Sequence, residues 1–252
     1  MWETVKIYVK GAADCMDTIL FDLDGTLLPM DQDQFMMAYF KELAKKLAPL
    51  GFEQKSLIEG VLKGTNAMVA NDGAATNNQL FWNSFTDDFG ELAQKHQKDF
   101  DTFYEVEFQR VKQVTKENPL AKACIDALKE KGYTLAIATN PIFPRVATLS
   151  RIKWIGLEPE DFSLITTYED SCFCKPNLAY YQLILNYLKK DADQCMMVGN
   201  DVTEDMCAKE LGMEVYLVND CLINKEERDI SLLPQGTFAQ FYELVHELPG
   251  KN

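Results

Sequence analysis

Short apolar runs alternate with helical patterns along the second half of the chain, and a further apolar run precedes them near the N-terminus. The early run, Thr18–Asp22, predicts a strand that is buried on both faces. Later runs predict strands at 133–138, 164–166, 195–198 and 214–218. Strands that alternate with helices in this way are typical of an α/β domain with a central parallel sheet.

The stretch from about Asp31 to Lys116 differs because its spacing is helical throughout. Apolar residues recur every four positions, as at Phe35 and Tyr39, and no segment has strand character. Ordinary crossovers between parallel strands are much shorter. We therefore predict that residues 32–116 form an all-helical subdomain inserted after the first strand. The α/β core then comprises 18–31 and 117–252, and 1–17 is an N-terminal extension or edge strand.

Composition narrows the classes of protein that fit. The chain has 252 residues, of which 47% are apolar, enough for one large domain with a smaller companion. A net charge of -14 argues against nucleic acid or an anionic membrane as a ligand. No apolar run approaches the roughly 20 residues that span a bilayer, and residues 1–17 lack the apolar core of a signal peptide. The seven cysteines are scattered and predict reduced thiols, so we expect a cytoplasmic protein.

Polar residues follow three of the predicted strands at the points where these strands end. They are Asp22 with Asp24, Thr139 with Asn140, and Asp201. Each alone is also explained by ordinary turn or cap chemistry. In an open parallel sheet, however, ligands bind beyond the carboxyl ends of the strands. We therefore expect these residues to meet in space at one edge of the sheet.

Two further charged groups belong to the same pattern. Lys175 stands directly before Pro176, where it is either a solvated loop lysine or a cation that faces the acids or a bound phosphate. Asp201 and Asp205 lie four residues apart at the start of a helix predicted over 203–211, a spacing that favours one shared face. Glu204 is expected to point away into solvent.

Carboxylates, a hydroxyl, helix-end amides and a lysine together suit Mg²⁺ and a phosphoryl group. Mg²⁺ typically takes one or two carboxylates, keeps several waters and binds a phosphate oxygen of the substrate. Asp22 and Asp201 would suffice as its side-chain ligands. The sequence gives no indication of an oligomeric state.

Four motifs, in this order, resemble those of the haloacid dehalogenase superfamily. They are Asp22-x-Asp24-Gly25-Thr26, Thr139–Asn140, Lys175–Pro176, and Gly199–Asn200–Asp201-x-x-x-Asp205. Asn200 between the glycine and the first acid is a minor departure that keeps the acid spacing. The resemblance covers residues from Thr18 to about Leu217, and it implies a Rossmann-like three-layer core with a helical C1-type cap. It points to the phosphatase branch, similar to phosphoglycolate phosphatases.

The resemblance also implies roles for the two acids of the first motif. Asp22 would attack phosphorus and form an aspartyl-phosphate, for which an ionised carboxylate needs no base. Asp24 would protonate the leaving oxygen and then act as base for the hydrolytic water, while its main-chain carbonyl binds Mg²⁺. A dehalogenase expels halide and needs no such acid, so Asp24 favours the hydrolysis of phosphate esters.

The other motifs would bind the phosphoryl group and the metal. By the same resemblance, Thr139 and Asn140 would bind phosphoryl oxygens, and Lys175 would offset the charge on nucleophile and phosphate. Asp201 would complete the metal site, and Asp205 would orient the groups around it.

The sequence thus favours a Mg²⁺-dependent phosphatase that acts on a small phosphorylated metabolite. One alternative is a phosphomutase, which passes the phosphoryl group to a sugar phosphate and requires a bisphosphate activator. The other is a non-catalytic regulatory protein with the same fold, a class that usually lacks the nucleophile.

Overall fold

A sheet of six parallel strands lies at the centre of the computed structural model, which describes residues 15–251. The strands are β1 (Thr18–Phe21), β2 (Thr134–Ile137), β3 (Leu164–Ile165), β4 (Cys195–Gly199), β5 (Glu214–Val218) and β6 (Gln235–Gly236). Their order across the sheet is β3-β2-β1-β4-β5-β6. The predicted α/β fold is thereby confirmed. The short β6 was not predicted, because two residues give no periodic signal. Residues 1–14 of the N-terminal extension or edge strand predicted for 1–17 lie outside the described residues.

The helices of the described chain fall into a group before β2 and a group after it. They are α1 (Gln32–Leu47), α2 (Gln54–Val69), α3 (Asn77–Phe89), α4 (Glu91–Glu105), α5 (Pro119–Glu130), α6 (Arg145–Trp154), α7 (Leu178–Leu188) and α8 (Phe238–Glu247). None of these helices, within residues 15–251, is long and apolar enough to cross a membrane.

Strand β1 occupies the middle of the sheet, and each of its residues is buried. Phe21 lies opposite Ile137 of β2 and Val198 of β4, so the three strands end at the same level. The strand order also reverses here, since β2 and β3 lie on one side of β1 and the later strands on the other. A parallel sheet has its ligand crevice at such a point.

Alternate residues of β1 enter two separate hydrophobic cores. Ile19 and Phe21 belong to the larger core, where the Phe21 ring meets Phe241 of α8 edge to face at 5.8 Å. Leu20 faces the opposite side and packs in a second core with residues of α7. Because successive side chains of a strand point to opposite faces, layers of helix cover both sides of the sheet.

The residues between β1 and β2 form helices α1 to α4, a 3₁₀ segment (Glu107–Val114) and α5. Side-chain caps start several of these helices: the carboxylate of Asp31 accepts the backbone N–H of Gln34, and Thr76 begins α3 with a capping box. Met30 and Thr115 pair in an isolated antiparallel bridge where the chain leaves and re-enters the core. We call residues 32–116 the helical insert; its treatment as a separate domain stays a prediction.

The helical insert packs on the core through aromatic rings and hydrogen bonds. Phe143, after β2, contacts the ring of Tyr39 of α1 at 5.5 Å. Gln109 of the 3₁₀ segment donates to Ser150 Oγ at 2.8 Å and accepts from Trp154 Nε1 at 2.8 Å, both on α6. Helix α6 is therefore one of the parts of the core that are directly attached to the insert.

Candidate active site

Asp22 lies directly beyond β1 and continues its hydrogen-bond ladder, since its N–H donates to the carbonyl of Val198 at 2.9 Å. Its side chain accepts Lys175 Nζ at 2.9 Å, and Thr26 Oγ1 lies 3.2 Å from its other oxygen. Gly25 follows with a φ of +90°, and a Cβ there would lie 2.4 Å from Asn200 Nδ2. Glycine is therefore required both by the turn and by the close approach of the β1 and β4 loops.

Lys175 lies below this turn with 1% of its side chain exposed. Its Nζ also donates to Asp205 Oδ1 at 2.6 Å, so one lysine pairs with two buried acids. Burial alone would lower the pKa of Lys175, but Asp205 and Asp22 outweigh it and raise this pKa well above its usual value. The solvated-loop alternative for Lys175 is thus wrong, and α7 begins at Leu178, with Pro176 before it.

Burial is also the largest influence on Asp22 and raises its pKa to about 7. Lys175 opposes this rise, while the negative charges of Asp205 and Asp24 add to it. Several carboxylates thus share one desolvated region, with a single lysine between two of them. A further cation in this region would favour their ionised forms.

The helix predicted over 203–211 is wrong for its first part. Asp201 Oδ1 accepts the N–H groups of Thr203 and Glu204, each at 2.8 Å, and Asp205 Oδ2 accepts the N–H of Asp201 at 2.9 Å. The Asp201 carboxylate thus binds N–H groups that would have no backbone partner in the first turn of a helix. The segment forms turns and then a 3₁₀ helix (Met206–Leu211). Asp201 and Asp205 are nevertheless brought together as the four-residue spacing predicted.

Asp205 depends on a glycine of β4 for its position. A Cβ on Gly199 would lie 2.2 Å from Asp205 Cγ, so only glycine leaves room for this carboxylate. Asp205 itself is buried, with 1% of the residue exposed.

Thr139 and Asn140 lie beyond β2. The Thr139 carbonyl accepts Thr166 Oγ1 at 2.7 Å and the Tyr180 hydroxyl at 2.9 Å, which holds this loop against the sheet. Asn140 Oδ1 accepts the Lys175 N–H at 3.3 Å, and its Nδ2 donates to Glu204 Oε2 at 3.0 Å. The side chain of Asn140 thereby links the loops after β2 and β4 with the one that carries Lys175.

The prediction that Glu204 points into solvent is wrong. Glu204 is half-buried at the wall of the site, where burial raises its pKa to about 7 and Lys175 opposes the rise. Its position follows from the turn at Asp201, which replaces the predicted helix and directs Glu204 toward Asn140.

Asp24 is paired with a residue that the sequence motifs did not include. Arg151 of α6, with 1% of its side chain exposed, donates from Nη1 to Asp24 Oδ2. Burial raises the pKa of Asp24, and Arg151 opposes this rise. The available signal was weak: Arg151 falls on the same face of α6 as the buried Ala147, one turn earlier, where a charged residue is unusual.

A cavity of about 580 Å³ joins these groups at the carboxyl ends of the strands. Six of the predicted site residues line it: Asp22, Asp24, Thr139, Asn140, Asp201 and Asp205. Lys175 contacts the cavity group Asp22 through its Nζ. The helical insert contributes Gln32, Phe35 and Met36 to the wall, so the cavity lies between core and insert.

The donor set of this cavity fits a hard cation such as Mg²⁺. Asp22 and Asp201 offer carboxylate oxygens at the wall of the cavity. Within residues 15–251, no cluster of three or more His, Cys, Asp or Glu side chains has metal-binding geometry. Two carboxylates and one main-chain carbonyl satisfy the requirement of Mg²⁺, because this ion keeps several waters.

Residues 16–212 match the sequence pattern of haloacid dehalogenase-like hydrolases. The chain belongs to this family. It is 24% identical over 197 residues to pyrophosphatase PpaX of Bacillus pumilus, covering 78% of this chain and 80% of that protein. It is 26% identical over 212 residues to ribulose-1,5-bisphosphate 5-phosphatase of Halopiger xanaduensis, covering 79% of this chain and 83% of that protein. The predicted family and hydrolase class are confirmed, and both relatives carry phosphatase names.

The fold also resembles that of a 2-haloacid dehalogenase from Pseudomonas syringae, with a TM-score of 0.61 and 19% identity. The alignment covers 92% of this chain and 99% of that structure. At this identity the likeness shows the fold alone, and the chemistry has to be argued from the site.

Proposed function

We propose that this protein is a Mg²⁺-dependent phosphatase that hydrolyses a small phosphorylated metabolite through an aspartyl-phosphate. The observation that carries the proposal is the pairing of a buried carboxylate, Asp22, with a buried lysine, Lys175, at the wall of a cavity. Asp24 and Asp201 line the same cavity. The phosphatase names of the two relatives support the same reaction.

In the proposed reaction, a carboxylate oxygen of Asp22 bonds to phosphorus as the ester P–O bond breaks. Asp24 gives its proton to the departing alkoxide, which leaves as an alcohol. Asp24 then takes a proton from water, the water oxygen bonds to phosphorus, and the Asp22 carboxylate is released with inorganic phosphate. Asp24 is protonated again at the end, so the cycle closes.

The remaining site residues would hold the phosphoryl group. Lys175 stabilises negative charge near the Asp22 carboxylate, and Thr139 offers a hydroxyl at the cavity wall. Asp22, Asp201 and the Asp24 carbonyl would hold Mg²⁺, which when bound supplies positive charge to the transferring phosphoryl oxygens. Asp205 keeps Lys175 in place through the 2.6 Å ion pair. The helical insert would act as a cap that excludes bulk water.

Phosphate release from a panel of phosphate esters, with and without a chelator, tests this proposal. The panel includes 4-nitrophenyl phosphate, ethyl phosphate, glycerol 3-phosphate and 2-phosphoglycolate. We expect release that depends on Mg²⁺ and is abolished by Asp22→Asn. Asp126→Asn, which alters an exposed acid of α5 paired with Lys122, is the matched control and should retain activity.

Two outcomes would overturn the proposal: full turnover without divalent metal, or wild-type activity of Asp22→Asn. Transfer that needs a bisphosphate activator, without phosphate release, would indicate the phosphomutase. No turnover of any kind by the Mg²⁺-loaded protein would favour the regulatory alternative.

A further inference from the structure

Arg151 is a buried cation outside the family motifs, and its partner is the proposed acid–base residue. Its side chain is 1% exposed and donates from Nη1 to Asp24 Oδ2. A guanidinium so far from water needs acceptors for its N–H groups, since buried donors without a partner are destabilising. Asp24, in a loop 127 residues away in sequence, offers Oδ2 as such an acceptor, which leaves Oδ1 as the oxygen that can carry a proton.

Arg151 is held in place by contacts that do not involve Asp24. Nε donates to the Ala147 carbonyl at 3.3 Å, and Nη2 donates to Thr148 Oγ1 at 3.2 Å, both on the preceding turn of α6. The ring of Phe143 covers the guanidinium, with its centroid 4.5 Å from Cζ. Arg151 is therefore the fixed member of the pair, and it sets where the Asp24 carboxyl lies.

The two oxygens of Asp24 have different surroundings. Oδ2 is occupied by Arg151, whereas Oδ1 is buried and has no hydrogen-bond partner. Asp24 also lines the cavity that holds the nucleophile Asp22. Because Oδ1 has no partner within the described residues, a proton on this oxygen is not shared with another protein group, and Asp24 itself lines the cavity where an ester would bind.

We infer that Arg151 is a positioning residue that fixes the Asp24 carboxyl so that Oδ1 serves the leaving oxygen. This inference rests on the proposed phosphatase function. In the step concerned, the O–H bond at Oδ1 breaks, the proton joins the ester oxygen, and the P–O bond to that oxygen breaks. Arg151 remains hydrogen-bonded to Oδ2 throughout.

A structural tether between α6 and the β1 loop would use the same ion pair. Removing a tether would lower the stability of the protein and would change the rate for every substrate by the same factor. A positioning role affects only substrates whose leaving group needs a proton. 4-Nitrophenolate can leave without being protonated, whereas an alkoxide needs a proton to leave. Nitrophenyl and alkyl esters therefore distinguish a positioning role from a tether.

The test compares Arg151→Met and Arg151→Lys with wild type, on 4-nitrophenyl phosphate and on the best alkyl phosphate of the panel. We expect Arg151→Met to lower kcat/KM for the alkyl ester roughly 10- to 100-fold, as small misplacements of a reacting group do. The value for the nitrophenyl ester should change little, because kcat/KM reports only the steps up to ester cleavage. Arg151→Lys should recover part of the loss.

Arg145→Met is the matched control, because Arg145 lies on the same helix but pairs with Asp170 at the surface. It should leave both kcat/KM values unchanged. In an Asp24→Asn background, Arg151→Met should bring no further loss on the alkyl ester, since Arg151 acts through Asp24. If Arg151→Met does not fold, Thr148→Val removes one contact of the guanidinium and should show the same selectivity in weaker form.

Equal losses on both esters, or no loss on either, would overturn the positioning role. So would an additional loss in the Asp24→Asn background. A wild-type protein that releases no phosphate from any ester would instead refute the proposed function, so the two failures are distinguishable.

Discussion

Replacing Lys175 with methionine removes the cation from a cluster of buried side chains at the base of the cavity. Lys175 and Asp205 each have 1% of their side chains exposed, and Asp22 has 10%. Methionine has a similar length and keeps most of the packing, so the change isolates the charge. The two carboxylates are then left in a desolvated region without their common partner.

The expected cost follows from the burial of the pair. Breaking a buried ion pair by removing one partner typically costs about 3–5 kcal/mol, because the other charge stays desolvated. For a chain of this size each kcal/mol lowers Tm by about 2–4 °C, so we expect a fall of roughly 6–20 °C. The deficit should be smaller in acid, where the carboxyl groups bind protons and no longer need a cation.

Thermal and urea unfolding of the purified variant measure this effect, alongside wild type and Lys190→Met. Lys190 pairs with Asp17 at 2.6 Å, but their side chains are 20% and 31% exposed. A pair of this kind contributes at most about 1 kcal/mol, so Lys190→Met should unfold close to wild type. Adding Asp205→Asn to Lys175→Met should restore part of the lost stability.

Equal unfolding midpoints for Lys175→Met and wild type would refute the argument from burial. A fall no larger than that of Lys190→Met would have the same meaning. It would show that the acids at the sheet edge are solvated well enough to need no cation.

Three further predictions concern the last residue of β4 and the loop after it. Asp201→Asn should raise the Mg²⁺ concentration for half-maximal phosphate release at least about tenfold, and an unchanged Mg²⁺ titration would exclude Asp201 as a ligand. Gly199→Ala should lower the free energy of unfolding by roughly 1–3 kcal/mol, because its Cβ would displace Asp205; Gly250→Ala, with nothing within 4 Å of a Cβ, is the control. Glu204→Ala should be less stable to urea than Glu204→Gln by about 1 kcal/mol, because only glutamine still accepts the Asn140 amide; equal midpoints would contradict this.

The local pattern of apolar and polar residues was sufficient to predict the sheet and the acids at its edge. Asp22, Thr139 and Asp201 each follow an apolar run, and parallel strands of equal level bring such residues together. The four-residue spacing of Asp201 and Asp205 predicts that the two acids lie together, and they do so although the part of the expected helix before Met206 forms turns. The turns at residues 202–205 bring the two acids together much as one turn of helix would.

Other parts of the site depend on packing that no local pattern contains. Arg151 meets Asp24 across 127 positions of sequence, and a single arginine in a helical stretch does not reveal its partner. A helix over 203–211 would turn Glu204 outward. The structure instead has turns after Asp201, and Glu204 accepts the Asn140 amide, which belongs to a loop 64 residues away.

The central place of β1 has a consequence for the order in which the chain folds. β1 is flanked by β2 and β4, and the contact between Asp22 and Lys175 joins residues 153 positions apart. During synthesis the whole helical insert emerges before either neighbour of β1. The cluster of acids can close only after Asp205 has left the ribosome. A formed site is therefore a sign that nearly the whole domain has been made.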